Sequence, residues 1–122
     1  VSQPLVPIKW APKVAEHDYA AARAYLSLKL GEDAVKTAVK HLRKAELTQR
    51  RANDILRASG LVPAALSDPG VIKDLIRVIE GTPLSPVLVL VGKRGAEIAD
   101  GFHRVSLVYQ LDPYADVPMK LA

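Results

Sequence analysis

The stretch Ile98-Ala-Asp-Gly-Phe-His-Arg104 gathers the residue types that an anion site needs. An apolar, strand-like run ends at Asp100, Gly101 breaks it, and a helical pattern follows with His103 and Arg104 in its opening turn. The first turn of a helix carries backbone N–H groups with no intrahelical acceptor, and the aligned peptide dipoles place positive charge there. Arg104 adds a permanent charge in fork geometry, and His103 a donor that strengthens on protonation. The missing Cβ of Gly101 would let an anion approach the main chain closely. Asp100, Gly101, Phe102, His103 and Arg104 are therefore the candidate site for a phosphate or a carboxylate. Asp100 opposes an anion unless it holds Arg104 or His103, or reaches a bridging Mg²⁺. The plainer alternative makes Gly101 a turn residue and pairs Arg104 with a surface acid.

Other chemistry is more thinly represented. His103 beside Asp100 has the makings of a general acid or base, and with Arg104 it would be the catalytic pair if the protein is an enzyme. No nucleophile accompanies it, since Ser106 falls inside a helical pattern. A histidine that simply donates to phosphate or backbone is the simpler role. His17, His41 and His103 have no metal-ligand spacing, so no metal site is expected. Cysteine is absent, which excludes disulfides, thiolate zinc sites and cysteine nucleophiles.

The charge is concentrated. Lys40, Arg43, Lys44, Arg50, Arg51 and Arg57 face only Glu46 and Asp54 in the same segment, and that surplus equals the net charge of +4. Such a stripe can meet nucleic-acid phosphates, or it can be a solvated face whose cations complement helix C-termini. With one Phe and one Trp in the chain, stacking platforms for single strands are not expected. Any DNA binding should be weak and indifferent to sequence.

These residues need elements to hold them. At 122 residues, 49% hydrophobic and 25% charged, the chain suits one globular domain. No apolar run reaches the length of a membrane span, and the opening residues lack the features of a signal peptide, so the cytoplasm is the default location. Pro4, Pro7 and Pro12 around Trp10 predict an extended arm. A helix is expected from Asp18, as its N-cap, to Leu30, with Gly31 just past its end, and a second over Glu32–Lys44. Leu47–Arg51 reads as a short polar strand or a loop, and Asn53 or Asp54 as the cap of a short helix ending at Gly60. Ser67 or Asp68 caps a helix whose inward stripe is Ile72, Leu75, Ile76 and Ile79, ending at Gly81. Strands follow at Val87–Val91 and Ala96–Asp100, joined by a hairpin at Gly92–Gly95. His103–Leu111 is helical, with Val105, Val108, Tyr109 and Leu111 inward. Val117–Leu121 closes as a strand that Pro118 places at an edge or a bulge. The class is α+β: N-terminal helices, then a small β-β-α-β unit.

The run Asp100-Gly-Phe-His-Arg-Val-Ser-Leu-Val-Tyr-Gln-Leu111, followed by Val117-Pro-Met-Lys-Leu121, resembles the ParB/sulfiredoxin superfamily. Sulfiredoxins carry Gly-Cys-His-Arg at this turn and ParB partition proteins Gly-Glu-Arg-Arg. Gly81-Thr-Pro-Leu-Ser-Pro-Val-Leu-Val-Leu is similar to the family's Pro-led strand. The resemblance covers the chain from Asn53 onward and is greatest to compact bacterial proteins with a lone ParB-like domain and an Ala-Asp-Gly-Tyr-His-Arg turn. It implies a ParB/sulfiredoxin-like core with a mixed sheet over 46–122, and an arm and helical extension over 1–45, within one domain. It also implies a nucleotide-phosphate site at Gly101–Arg104, holding ATP or CTP with Mg²⁺, in a binding or regulatory module. Nucleotide hydrolysis or weak nuclease activity through His103 and Arg104 is the enzymatic alternative. A protein-interaction module built on the N-terminal helices is the third, and homodimerisation is open. Phe102 stands where sulfiredoxins have their catalytic cysteine, so sulfinic-acid reduction is not implied. Nor is sequence-specific DNA reading, because no helix-turn-helix follows the domain before Ala122.

Overall fold

The computed structural model describes residues 7–93 and 95–122. Pro4 of the expected arm and Arg94 of the expected hairpin lie outside them. Along the chain come α1 (Glu16–Leu26), α2 (Glu32–Lys44), β1 (Leu47–Arg51), α3 (Ala52–Ser59), α4 (Pro69–Ile79), β2 (Val87–Gly92), β3 (Gly95–Asp100), α5 (Phe102–Leu111) and β4 (Asp116–Leu121). The α+β class is as the sequence predicts. The four strands form one mixed sheet in the order β1-β4-β2-β3. β1 pairs antiparallel with β4, β2 antiparallel with β3, and β2 parallel with β4 across the α5 connection.

Alternation along β2 divides the core. Val87 and Val89 face one side, where α3 and α5 cover them with Ile55, Leu56, Val105 and Val108. Leu88 faces the other, where α1 and α2 cover it with Leu26, Val39 and Leu42. Each fully buried Leu or Val contributes about 1.5–3 kcal/mol relative to exposure. The helices of the N-terminal extension thus supply one of the sheet's two covers. α4 packs outside α5 through Val71, Val78, Leu84 and Leu107, and the arm closes this third cluster with Ile8 and Trp10. The arm is tied down by a Trp10–Leu84 bridge, with Ala11 N–H donating to the Leu84 carbonyl at 2.8 Å.

Several local expectations give way to tertiary contacts. Asp18 is not a cap: α1 begins at Glu16, and Asp18 is buried in its first turn. α1 ends at Leu26, and Gly31 is the N-cap of α2. α3 starts at Ala52, so neither Asn53 nor Asp54 caps it. Gly60, at φ 65°, terminates α3 where the sequence places the stop. In α4 the buried positions are Val71, Asp74 and Val78, while Ile72, Ile76 and Ile79 are 40%, 50% and 70% exposed. This helix carries two apolar rows at helical spacing, and packing against α5 selects the row that periodicity ranks second. Tyr109 and Leu111 of α5 are half-buried, while Arg104, Ser106 and Leu107 join Val105 and Val108 inside. Finally, β4 lies inside the sheet despite Pro118. The β2–β4 ladder begins only at Met119, one residue beyond the proline, so the missing N–H interrupts nothing there.

Candidate functional site

α5 begins abruptly. The β2–β3 register shifts between Leu88 and Val89, so that Leu88 pairs with Asp100 and Val89 with Ile98. This bulge at Ala99 re-aims the strand end just before the turn. Gly101 then adopts φ 110°, a left-handed conformation that disfavours other residues, and stands as the N-cap of α5. No side chain caps the helix and no acid lies in its first turn. The N–H groups of Phe102, His103 and Arg104 accordingly have no acceptor within α5. The turn lies at a cleft of about 440 Å³ that all five predicted residues, Asp100 to Arg104, help to line.

The side of Gly101 where a Cβ would project is already filled. Such an atom would lie 2.8 Å from Val87 Cγ2 and 2.9 Å from Arg104 Nη2. The glycine therefore serves the packing of Val87 and the guanidinium rather than the approach of a ligand on that side.

Arg104 is 9% exposed and its guanidinium is engaged. Nη1 donates to Asp18 Oδ2 and to the Ser85 carbonyl, both at 2.9 Å, and Nη2 donates to Asp100 Oδ2 at 2.6 Å. The expectation of a fork offered to a ligand is corrected here: the fork spans two carboxylates, and Arg104 joins α1, α5 and the entry to β2. Asp100 is the holder of Arg104 that the sequence reading allowed. The two acids respond oppositely. Burial pushes Asp18 up, but the Ser85 hydroxyl and Arg104 outweigh it and hold the group below its ordinary value. Burial pushes Asp100 above its ordinary value, with Arg104 opposing and the nearby Asp18 carboxylate adding to the rise.

His103 has a partner that sequence proximity does not suggest. Its Nε2 lies 3.3 Å from Asp68 Oδ1, not against Asp100, whose carboxylate is turned to Arg104. The same Asp68 oxygen caps α4 by accepting from Gly70 N–H at 2.8 Å. The imidazole lies over Gly70, where a Cβ would come within 2.6 Å of His103 Cδ2. Phe102 meets the imidazole edge-on at 5.5 Å between ring centroids.

Four charged lining residues, Lys13, Asp18, Asp74 and Arg77, were not singled out for chemistry in the sequence. Asp18 and Asp74 sit in the buried floor, and Lys13 and Arg77 on the exposed rim. Asp74 had a faint signal, an acid inside an apolar stretch of helix; Asp18 had none apart from its misassigned capping role. Burial pushes Asp74 above its ordinary value against the pull of Arg104, Arg77, His103 and Lys73.

The basic segment does not form one surface. Lys40, Arg43 and Lys44 lie on α2, on one side of the sheet, Arg57 on α3, on the other, and Arg50 and Arg51 on the edge strand β1. Arg43 pairs with Glu16 at 2.5 Å and stacks on Tyr19, and Arg50 bonds Thr48 and the Gln49 carbonyl. Among the described residues, no group of three or more His, Asp or Glu is arranged to hold a metal ion. Among the same residues no helix is long and apolar enough to cross a membrane. No family model, curated protein or solved structure matches the chain.

Proposed function

We propose that the cleft at the start of α5 binds a phosphate group, most simply that of a nucleotide, and that the protein is a ParB-like binding or regulatory module. The observation that carries this reading is the uncapped N-terminus of α5 opening into a cleft rimmed by Lys13, Arg77, His17 and His103. Donors without acceptors and rim cations together favour an oxyanion. The resemblance of Asp100–Arg104 to the ParB/sulfiredoxin turn supports the same ligand class, and ATP or CTP with Mg²⁺ are the first candidates. The engaged Arg104 acts as a positioning residue in this scheme. It clamps the Gly101 turn so that the amides keep their direction.

Calorimetric titration with ATP, CTP, GTP and their diphosphates, with and without Mg²⁺, tests the reading. Saturable binding that weakens in Arg77→Ala and Lys13→Ala is expected; no binding by any of them would overturn it. A second reading, hydrolysis of a bound nucleotide, is favoured by one contact, Asp68 beside His103 Nε2. That carboxylate can orient the imidazole for proton transfer. Phosphate release that is lost in His103→Ala while nucleotide still binds would establish it.

A further inference from the structure

The second apolar row of α4 has no cover among the described residues. Ile72, Ile76 and Ile79 are exposed, and Pro69 continues the row at the helix start. Pro69, Ile72, Ile76 and Ile79 are spaced by three, four and three residues, the alternation that keeps side chains on one seam, here about 15 Å long. β-branched isoleucine is only a middling helix former, so local propensity does not account for three of them in solvent. Single exposed hydrophobics need no explanation, but a continuous stripe marks an interaction surface.

The charges beside the stripe identify what fits it. Lys73 and Glu80 are exposed on the same flank, seven residues apart, with the cation toward the start of α4 and the anion just past its end. With Pro69, Ile72 and Ile76 they line one shallow depression on the outer side of the helix. Neither forms an ion pair with a described residue, whereas Arg77 between them is directed to Asp74 at the cleft.

A closed pair of identical surfaces must be self-complementary, so what one copy offers at one end the other must accept at the opposite end. A second α4 running antiparallel about a twofold axis between Ile76 and Ile79 meets this demand. Ile76 of each copy then faces Ile79 of the other, and Lys73 of each faces Glu80 of the other. An axis between Ile72 and Ile76 would instead bring the two Lys73 side chains together, so charge selects the first register.

We propose that the outer face of α4 is a self-association surface on which a second copy of this chain docks, α4 against α4, through the isoleucine row and two reciprocal Lys73–Glu80 ion pairs. One pair of short helices buries less than a standard-sized interface, so the dimer forms in the micromolar range and denaturation in dilute solution reads the monomer. The proposal does not depend on what the cleft at α5 binds.

Sedimentation equilibrium of the full chain, from sub-micromolar to about millimolar concentration, tests it. The wild type should pass from monomer to dimer. Lys73→Glu and Glu80→Lys, both at exposed positions where folding is little affected, should each weaken association about tenfold, because two attractions become two repulsions. Mixed in equal amounts, the two variants should recover wild-type affinity as a heterodimer, since each supplies the charge the other lacks. Ile76→Lys should stay monomeric at every concentration with an unchanged circular dichroism spectrum. A wild type that remains monomeric throughout would overturn the proposal, and so would a dimer that Ile76→Lys leaves intact. Single reversals that weaken the dimer without rescue on mixing would overturn it too, because the two charges would then meet something other than each other.

Discussion

Asp18 Oδ2 and Arg104 Nη1 lie 2.9 Å apart although 86 residues separate them in the chain. This contact fastens the first helix to the turn that opens the cleft. Both side chains are about nine-tenths buried, and Asp100 closes the pair into a bridge of two acids about one guanidinium.

Removing the cation should therefore damage the fold. Arg104→Ala leaves Asp18 and Asp100 facing each other without compensation, and breaking a buried pair of this kind costs about 3–5 kcal/mol. Chemical denaturation should show that loss. Arg104→Lys, which restores the charge but not the three-way geometry, should recover only part of it.

Gly101 should tolerate no side chain. Alanine there must occupy a left-handed φ and push against Val87, for a cost of about 2 kcal/mol or more. A melting temperature for Gly101→Ala equal to that of the wild type would mean that the turn is built differently.

The His103 ring and Gly70 should be energetically coupled. Gly70→Ala gains helix propensity, up to about 1 kcal/mol, but drives a Cβ into the imidazole. It should displace His103, visible as changed imidazole NMR shifts, and be destabilising only while the ring is present. In a His103→Ala background the same substitution should become neutral or stabilising, giving a non-zero coupling energy in a double-mutant cycle.

Asp74 sets a pH dependence of known sign. Its folded-state affinity for a proton is raised above the ordinary 3.8 by burial, so the folded protein binds more protons than the unfolded chain just above that value. Wild-type stability from this group is full below 3.8 and declines as pH rises through the raised folded value. Asp74→Asn has no such loss. Thermal melts of the two proteins without ligand should converge near pH 3.5, with the variant pulling ahead as pH rises toward neutrality.

The two apolar rows of α4 should respond unequally. Ile79→Lys, at an exposed position, should change stability by no more than about 0.5 kcal/mol. Val71→Ala, in the buried row of α4, should cost about 1.5–3 kcal/mol. Denaturation midpoints for the pair decide between the row seen in the structure and the row that periodicity favours.

What the sequence determined by itself is local in origin. Helix α2, the β2–β3 strands, the Gly60 stop and the Gly101 break were legible because propensity, turn chemistry and apolar period act over a few residues and agreed with one another. The α+β class and the Asp100–Arg104 stretch as a lining of the cleft followed from the same signals. Tertiary structure alone decided what those residues face. Asp18 looked like a helix cap because an acid before an alanine-rich run usually is one; only docking of α1 beside α5 reveals it as the partner of Arg104. Asp68 was visible as a cap, but its second role beside His103 depends on how α4 lies against α5. The choice between Val71/Val78 and Ile72/Ile76/Ile79 could not be made from spacing, since both rows satisfy a 3.6-residue period. Packing selected one, because burial is a property of pairs of surfaces and half of each pair is distant in the chain. Asp74 is the sharpest case. In the sequence it is one acid among thirteen, and only the fold buries it in the same cleft as Asp18 and Asp100.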